Sequence, residues 1–90
     1  MKRRRVKIRN KLGLHARPAA EFVRAARAYE SRILILRGGQ EFSATSILDV
    51  LTACVNCGAV LTLAADGPDA DEALEGLVGL LQTISDREEE

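Results

Sequence analysis

Hydrophobic and polar positions alternate along this chain with two periods, and the places where the period changes mark out its elements. Val6 and Ile8 alternate with Arg5, Lys7 and Arg9, the every-second-residue pattern of a half-buried strand over about 4–9. From Ala19 the spacing lengthens: Phe22, Val23, Ala26 and Tyr29 recur at helical intervals, with Pro18 placed in the first turn, where its missing N–H removes no intrahelical bond. That helix ends near Tyr29. Ser31 to Leu36 reads as a second strand, Gly38-Gly39 supplies the positive φ angles of a tight hairpin, and a third strand follows over Gln40 to Ala44.

Ile47, Leu48, Val50 and Leu51 form a short helical pattern with Ser46 as its N-cap. Asp49 stands where a capping-box partner would reach back to the cap. After a turn at Asn56-Cys57-Gly58, the β-prone run Ala59 to Ala64 suits a central strand, and Asp66-Gly67-Pro68 turns the chain again. Ala70, Ala73, Leu74, Leu77, Val78, Leu80, Leu81 and Ile84 then define an amphipathic helix. Asp69 and Glu72 are placed to cap and charge its first turn, Gly76 and Gly79 to admit close approach to the sheet. The tail 85–90 is expected to fray.

The order is therefore β-α-β-β-α-β-α, and helices apolar on one side suit an α+β sandwich of two layers with three helices on one face of the sheet. Ninety residues make one domain, 1–90, with a structured core over about 4–84. With no tryptophan and only Phe22, Phe42 and Tyr29 as aromatics, the core must be aliphatic and base-stacking platforms are scarce. No apolar run approaches the roughly 20 residues of a membrane span. The basic start, Met1 to Arg5, leads into Val6-Lys7-Ile8-Arg9 and not into the apolar stretch of a signal peptide, so a cytoplasmic protein without membrane insertion is expected.

Net charge is zero, but it is unevenly placed. Twelve basic residues through Arg37 face only Glu21 and Glu30, and from Gly38 onward eleven acids face only Arg87. The basic start fits a solvated edge strand whose charges discourage edge-to-edge pairing. A small nucleic-acid-binding module is the alternative, and zero net charge and few aromatics argue against it. Cys54 and Cys57 lack the second ligand pair of a structural zinc site, so they read as reduced thiols acting as small hydrophobes, and no metal site is expected.

His15 is the only histidine, and it stands at the mouth of the first helix. The first amides of a helix have no intrahelical acceptors and carry part of its positive dipole, which makes them an anion site. That dipole and the cation Arg17 both disfavour a protonated ring, so a lowered pKa and a neutral, nucleophilic imidazole are expected at neutral pH. A phosphoryl group on His15 would sit beside the amides of Ala16 and Arg17 and the planar guanidinium of Arg17. Arg17, Arg24 and Arg27 form a basic stripe, and no acid lies near His15 in sequence to act as a base. Docking of an acidic protein surface fits this better than a small-molecule pocket.

Gly13-Leu14-His15-Ala16-Arg17-Pro18-Ala19 resembles the active-site signature of the HPr family, the histidine-containing phosphocarriers of the bacterial phosphoenolpyruvate-dependent sugar phosphotransferase system. The resemblance extends over about 4–84 with a matching element order, and it implies an open-faced β-sandwich with a four-stranded antiparallel sheet. It further implies that His15 accepts a phosphoryl group on Nδ1 from phosphorylated enzyme I, with help from Arg17, and passes it to a IIA domain. Enzyme I, not this chain, would use phosphoenolpyruvate and Mg²⁺, and no bound cofactor is expected. The implied docking surface comprises Ala20, Arg24 and Arg27 on the first helix and Ile47, Leu48, Leu51 and Thr52 on the second. Ser46 matches the serine phosphorylated in many bacteria by an HPr kinase/phosphorylase. A regulatory paralogue of the nitrogen-related branch would share these features. The sequence departs from the family pattern at Leu12, at Asp49 on the docking helix, and in the pair Cys54 and Cys57.

Overall fold

A computed structural model describes residues 1–7, 16–53 and 60–87. The elements are β1 (Lys2–Lys7), α1 (Ala16–Arg27), β2 (Arg32–Arg37), β3 (Gln40–Ser43), α2 (Ile47–Ala53), β4 (Val60–Asp66) and α3 (Ala70–Arg87). The strands form one sheet in the order β1-β4-β2-β3, antiparallel throughout. β4 is central, as its β-prone run suggests.

Register decides which side chains meet the helices. Val6 lies opposite Leu61, Ile35 between Leu63 and Phe42, and Ile33 opposite Ala65. Because side chains alternate between the faces of a strand, these residues share one face. They pack with Phe22, Val23 and Ala26 of α1, Val50 and Ala53 of α2, and Leu74, Leu77, Leu81 and Ile84 of α3. The core is aliphatic apart from Phe22, whose full burial contributes about 1.5–3 kcal/mol. Among the described residues the other face of the sheet carries no helix, so this is an open-faced α+β sandwich.

Local chemistry accounts for most boundaries. Gly38 and Gly39 both have positive φ, +57° and +81°, the requirement of the type I′ turn that joins tightly twisted strands. Pro18 falls in the first turn of α1 and is buried. Ser46 caps α2: its carbonyl accepts from Val50 N at 3.0 Å and its Oγ from Asp49 N at 3.4 Å.

Several expectations are corrected. β1 begins at Lys2 and not Arg4, because pairing with β4 continues to Lys2 opposite Ala65; likewise β4 runs to Asp66, opposite Arg32. The carboxylate of Asp49 does not close a capping box on Ser46. It accepts from Ser43 N at 2.8 Å, bracing α2 against the end of β3. Asp69 caps α3 with its carbonyl, which accepts from Ala73 N at 2.9 Å. Its carboxylate instead clamps the connection between α1 and β2, accepting from Glu30 N and Ser31 N at 2.9 Å each and from the Ser31 hydroxyl. These donors, the Ser31 hydroxyl foremost, hold the Asp69 carboxyl below its ordinary range.

Gly76 admits Tyr29, not the sheet: a Cβ there would fall 2.1 Å from the Tyr29 hydroxyl, whereas nothing approaches Gly79 within 4 Å. Finally, α3 extends past Ile84. It continues through Ser85 and Asp86 to Arg87, and Ser85 is buried.

Candidate functional site

α1 and α2 lie side by side on the sheet, and the residues of interest recur on the face of α1 that flanks α2. Arg17, Ala20, Arg24 and Arg27 are separated by three, four and three residues, the spacing that keeps side chains on one helix face. Arg17 stands in the first turn and Arg24 about 10 Å further along the axis. All three arginines are exposed and Ala20 is half-buried. Arg24 and Arg27 occupy the last turn of α1, where the helix dipole favours cations.

On α2 the apolar side chains are unusually open. Leu48 is 72% exposed and Ile47 40%, while Leu51 is half-buried against the core. The hydroxyl of exposed Thr52 donates back to Leu48 O at 2.8 Å. Between the helices lies a shallow open hollow lined by Ala20, Val23, Arg24, Arg27 and Ile47. The structure therefore brings Ala20, Arg24, Arg27 and Ile47 together, with Leu48, Leu51 and Thr52 continuing along α2. The result is an apolar strip rimmed by guanidinium groups, a composition suited to transient protein docking.

Three long-range hydrogen bonds from two arginines hold this surface together, and none has a local sequence signal. Arg27 donates from Nε and Nη2 to Thr45 O at 3.2 and 3.0 Å, tying the last turn of α1 to the residue before the Ser46 cap. Arg37 donates from Nη1 to Ala53 O at 2.6 Å, satisfying a carbonyl that the end of α2 leaves without an intrahelical partner. Val23, packed in the core, also lines the hollow.

The first residues of α1 are Ala16 and Arg17, whose amides lie before the first intrahelical acceptor, as an anion site requires. His15, Gly13 and Leu14, the departure at Leu12, and Cys54 and Cys57 lie outside the described residues. Among the described residues, no cluster of His, Cys, Asp and Glu is arranged to hold a metal ion, and no helix is long and apolar enough to cross a membrane.

Residues 2–83 match the family described as PTS HPr component phosphorylation site. The chain belongs to the HPr family. It is 44% identical over 72 residues to the phosphocarrier protein HPr of Haemophilus influenzae, covering 80% of this chain and 85% of that one. The crystal structure of HPr-C-His from Thermoanaerobacter tengcongensis superposes with a TM-score of 0.86 at 40% identity, covering 92% of this chain and 93% of that one. Similarity extends to the phosphocarrier protein NPr of Shewanella violacea, 39% identical over 83 residues, 92% of this chain and 91% of that one. The helices described here cover a single face of the sheet, leaving the arginine-rimmed strip of α1 and α2 accessible from solvent. This is a phosphocarrier family of the bacterial phosphotransferase system.

Proposed function

We propose that this protein relays a phosphoryl group, accepting it from phosphorylated enzyme I on Nδ1 of His15 and delivering it to a IIA domain. The observation that carries this reading is the run Gly13 to Ala19 leading directly into the first turn of α1, in a chain of the HPr family. A neutral imidazole nitrogen attacks phosphorus. The amides of Ala16 and Arg17, aided by the Arg17 guanidinium, then balance the charge of the bound phosphate. With no carboxylate base nearby in sequence, the group is held only until a second nucleophile on an acceptor takes it. Phosphoenolpyruvate and Mg²⁺ are used by enzyme I, and the relay operates in the cytoplasm.

The strip formed by Ala20, Arg24, Arg27, Ile47, Leu48, Leu51 and Thr52 would receive both donor and acceptor in turn. Ser46 is the candidate site of an HPr kinase/phosphorylase. A phosphate there would place about two negative charges beside exposed Ile47 and Leu48, close to the carboxylate of Asp49, and repel an acidic partner. Similarity to NPr supports a second reading, in which the acceptor is a regulator and not a sugar permease. Both readings share the first step, and transfer to a sugar-specific IIA domain separates them.

Incubation with phosphoenolpyruvate, Mg²⁺ and enzyme I is expected to leave one acid-labile, base-stable phosphate on the chain. Persistence of that phosphate in His15→Ala would overturn the assignment.

A further inference from the structure

The sheet edge on the side away from α2 has features that phosphoryl relay does not use. α2 packs on β2 and β3, whereas α3 packs on β1 and β4. β1 is the outermost strand, paired on one side with β4; among the described residues, nothing pairs with its other side. A strand directs N–H and C=O groups to both sides, so this edge offers unpaired donors and acceptors to an added strand.

Its side chains are specific in character. Lys2, Arg3, Arg4, Arg5 and Lys7 are all exposed, and Val6 alone is buried. Among the described residues only Lys2 has an acidic partner, Asp71 at 4.0 Å. By alternation Arg3, Arg5 and Lys7 line the open face of the sheet, about 6.7 Å apart, and Lys2, Arg4 and Val6 line the helix side. Beside Val6 a groove of about 170 Å³ runs between β1 and α3, lined by Arg5, Val6 and Lys7 of the strand and by Val78, Leu81, Gln82 and Ser85 of the helix, so an apolar side chain seated on Val6 is flanked by two cations.

Charge decides between occupants. A second copy pairing β1 with β1 would set cation against cation across the ladder, which is destabilising. An acidic segment would set carboxylates there instead. We propose that the free edge of β1 docks an extended acidic segment of a partner protein as a fifth, antiparallel strand. It would place carboxylates opposite Lys7, Arg5, Arg4 and Arg3 and one apolar side chain opposite Val6, in the groove against α3. Read along the partner, the order is acid, apolar, acid, acid, acid. Backbone pairing supplies affinity, and the place of the single apolar residue among the acids supplies selection.

The test uses the full chain and a short fluorescein-labelled peptide with glutamate, leucine and three further glutamates in that order. Saturable binding is expected, with amide shifts and slowed exchange confined to β1 and the neighbouring surface of α3. Moving the leucine to the end of the peptide, placing proline at its centre, or using the Arg3→Glu/Arg5→Glu variant should each weaken binding by about tenfold. Circular dichroism of that variant, altered only at exposed positions, should match the parent. The proposal is overturned if no binding occurs, or if the reordered and proline peptides bind equally well, since charge alone would then suffice. Equal competition by oligothymidylate of matched charge, or protection of the β1 amides by self-association before peptide is added, would overturn it as well.

Discussion

Gly67 turns the chain from β4 into α3 at φ +154°, and replacing it with alanine probes how firmly that end of the molecule is held. A Cβ on Gly67 would fall 2.6 Å from both the Cα and the Oγ of Ser31 and 3.0 Å from its Cβ, closer than non-bonded atoms can approach without one of them shifting. Ser31 has little room to retreat, because its N–H donates to Asp69 at 2.9 Å and its hydroxyl donates to the same carboxylate oxygen. Backbone strain alone at such a φ costs a residue other than glycine about 1–3 kcal/mol. In a domain of this size each kcal/mol lowers the melting temperature by roughly 4–8 °C, so strain by itself predicts a fall of about 4–24 °C. Gly39→Ala is the matched control, since Gly39 also has positive φ, +81°, but has no neighbouring atom within 4 Å of a built Cβ. Thermal melts followed by far-UV circular dichroism should rank the parent above Gly39→Ala and Gly39→Ala above Gly67→Ala, and the second gap reports the contact with Ser31. The turn lies at the end of the sheet reached by the last turn of α1, away from Ala16, so phosphate uptake by the folded fraction should be unchanged. A Gly67→Ala protein that melts within about 2 °C of the parent, or together with Gly39→Ala, would show that Ser31 is not fixed as described.

The Asp69 carboxyl titrates below its ordinary value of 3.8 in the folded chain, so its contribution to stability is present above that value and lost as pH falls through the lower native one. Urea titrations should therefore find Asp69→Asn less stable than the parent at pH 7, with the gap narrowing below about pH 4; a gap independent of pH would contradict the clamp. Arg24→Glu and Arg27→Glu should both slow phosphoryl acceptance from enzyme I at low ionic strength, an effect that shrinks as salt rises. Only Arg27→Glu should also lose stability, by about 0.5–1.5 kcal/mol, because only Arg27 is bonded to Thr45 O. Ser46→Ala should cost about 0.5–2 kcal/mol as a lost N-cap, whereas Leu48→Ala, at a side chain 72% exposed, should shift stability by less than about 0.5 kcal/mol and raise the KM for the phosphoryl donor.

Features determined within a few residues were legible before the structure. The hairpin follows from Gly38-Gly39, the start of α2 from Ser46, and the stripe of Arg17, Arg24 and Arg27 from helical periodicity. What escaped was long-range. Asp69 was read as a local cap, but its carboxylate meets donors 38 and 39 residues away. Asp49 was read as reaching back to Ser46, but a short side chain at that position finds Ser43 N instead. Gly76 signalled a close approach without identifying Tyr29 as the visitor. The polar run after Ile84 suggested fraying, yet Ser85 is buried beside the groove that Val6 lines. In the site, the arginine stripe of α1 followed from its period and the docking residues of α1 and α2 from the family resemblance, but the bonds that tie α2 to α1 and to β2 had no such signal, because Thr45 O and Ala53 O are backbone atoms that any residue would supply.

The bond from Arg27 to Thr45 O has a consequence for how quickly a carrier can exchange partners. Immobilising a long side chain on association costs about 0.5–1.5 kcal/mol, and an arginine has much rotamer freedom to lose. Here the guanidinium is already anchored, so its ordering belongs to folding and not to each encounter. The same bond fixes the α1–α2 platform before any partner arrives. A molecule that must receive from one protein and release to another gains more from such a prepared, weakly adhesive face than from one that tightens on contact, because each departure then leaves the surface ready for the next arrival.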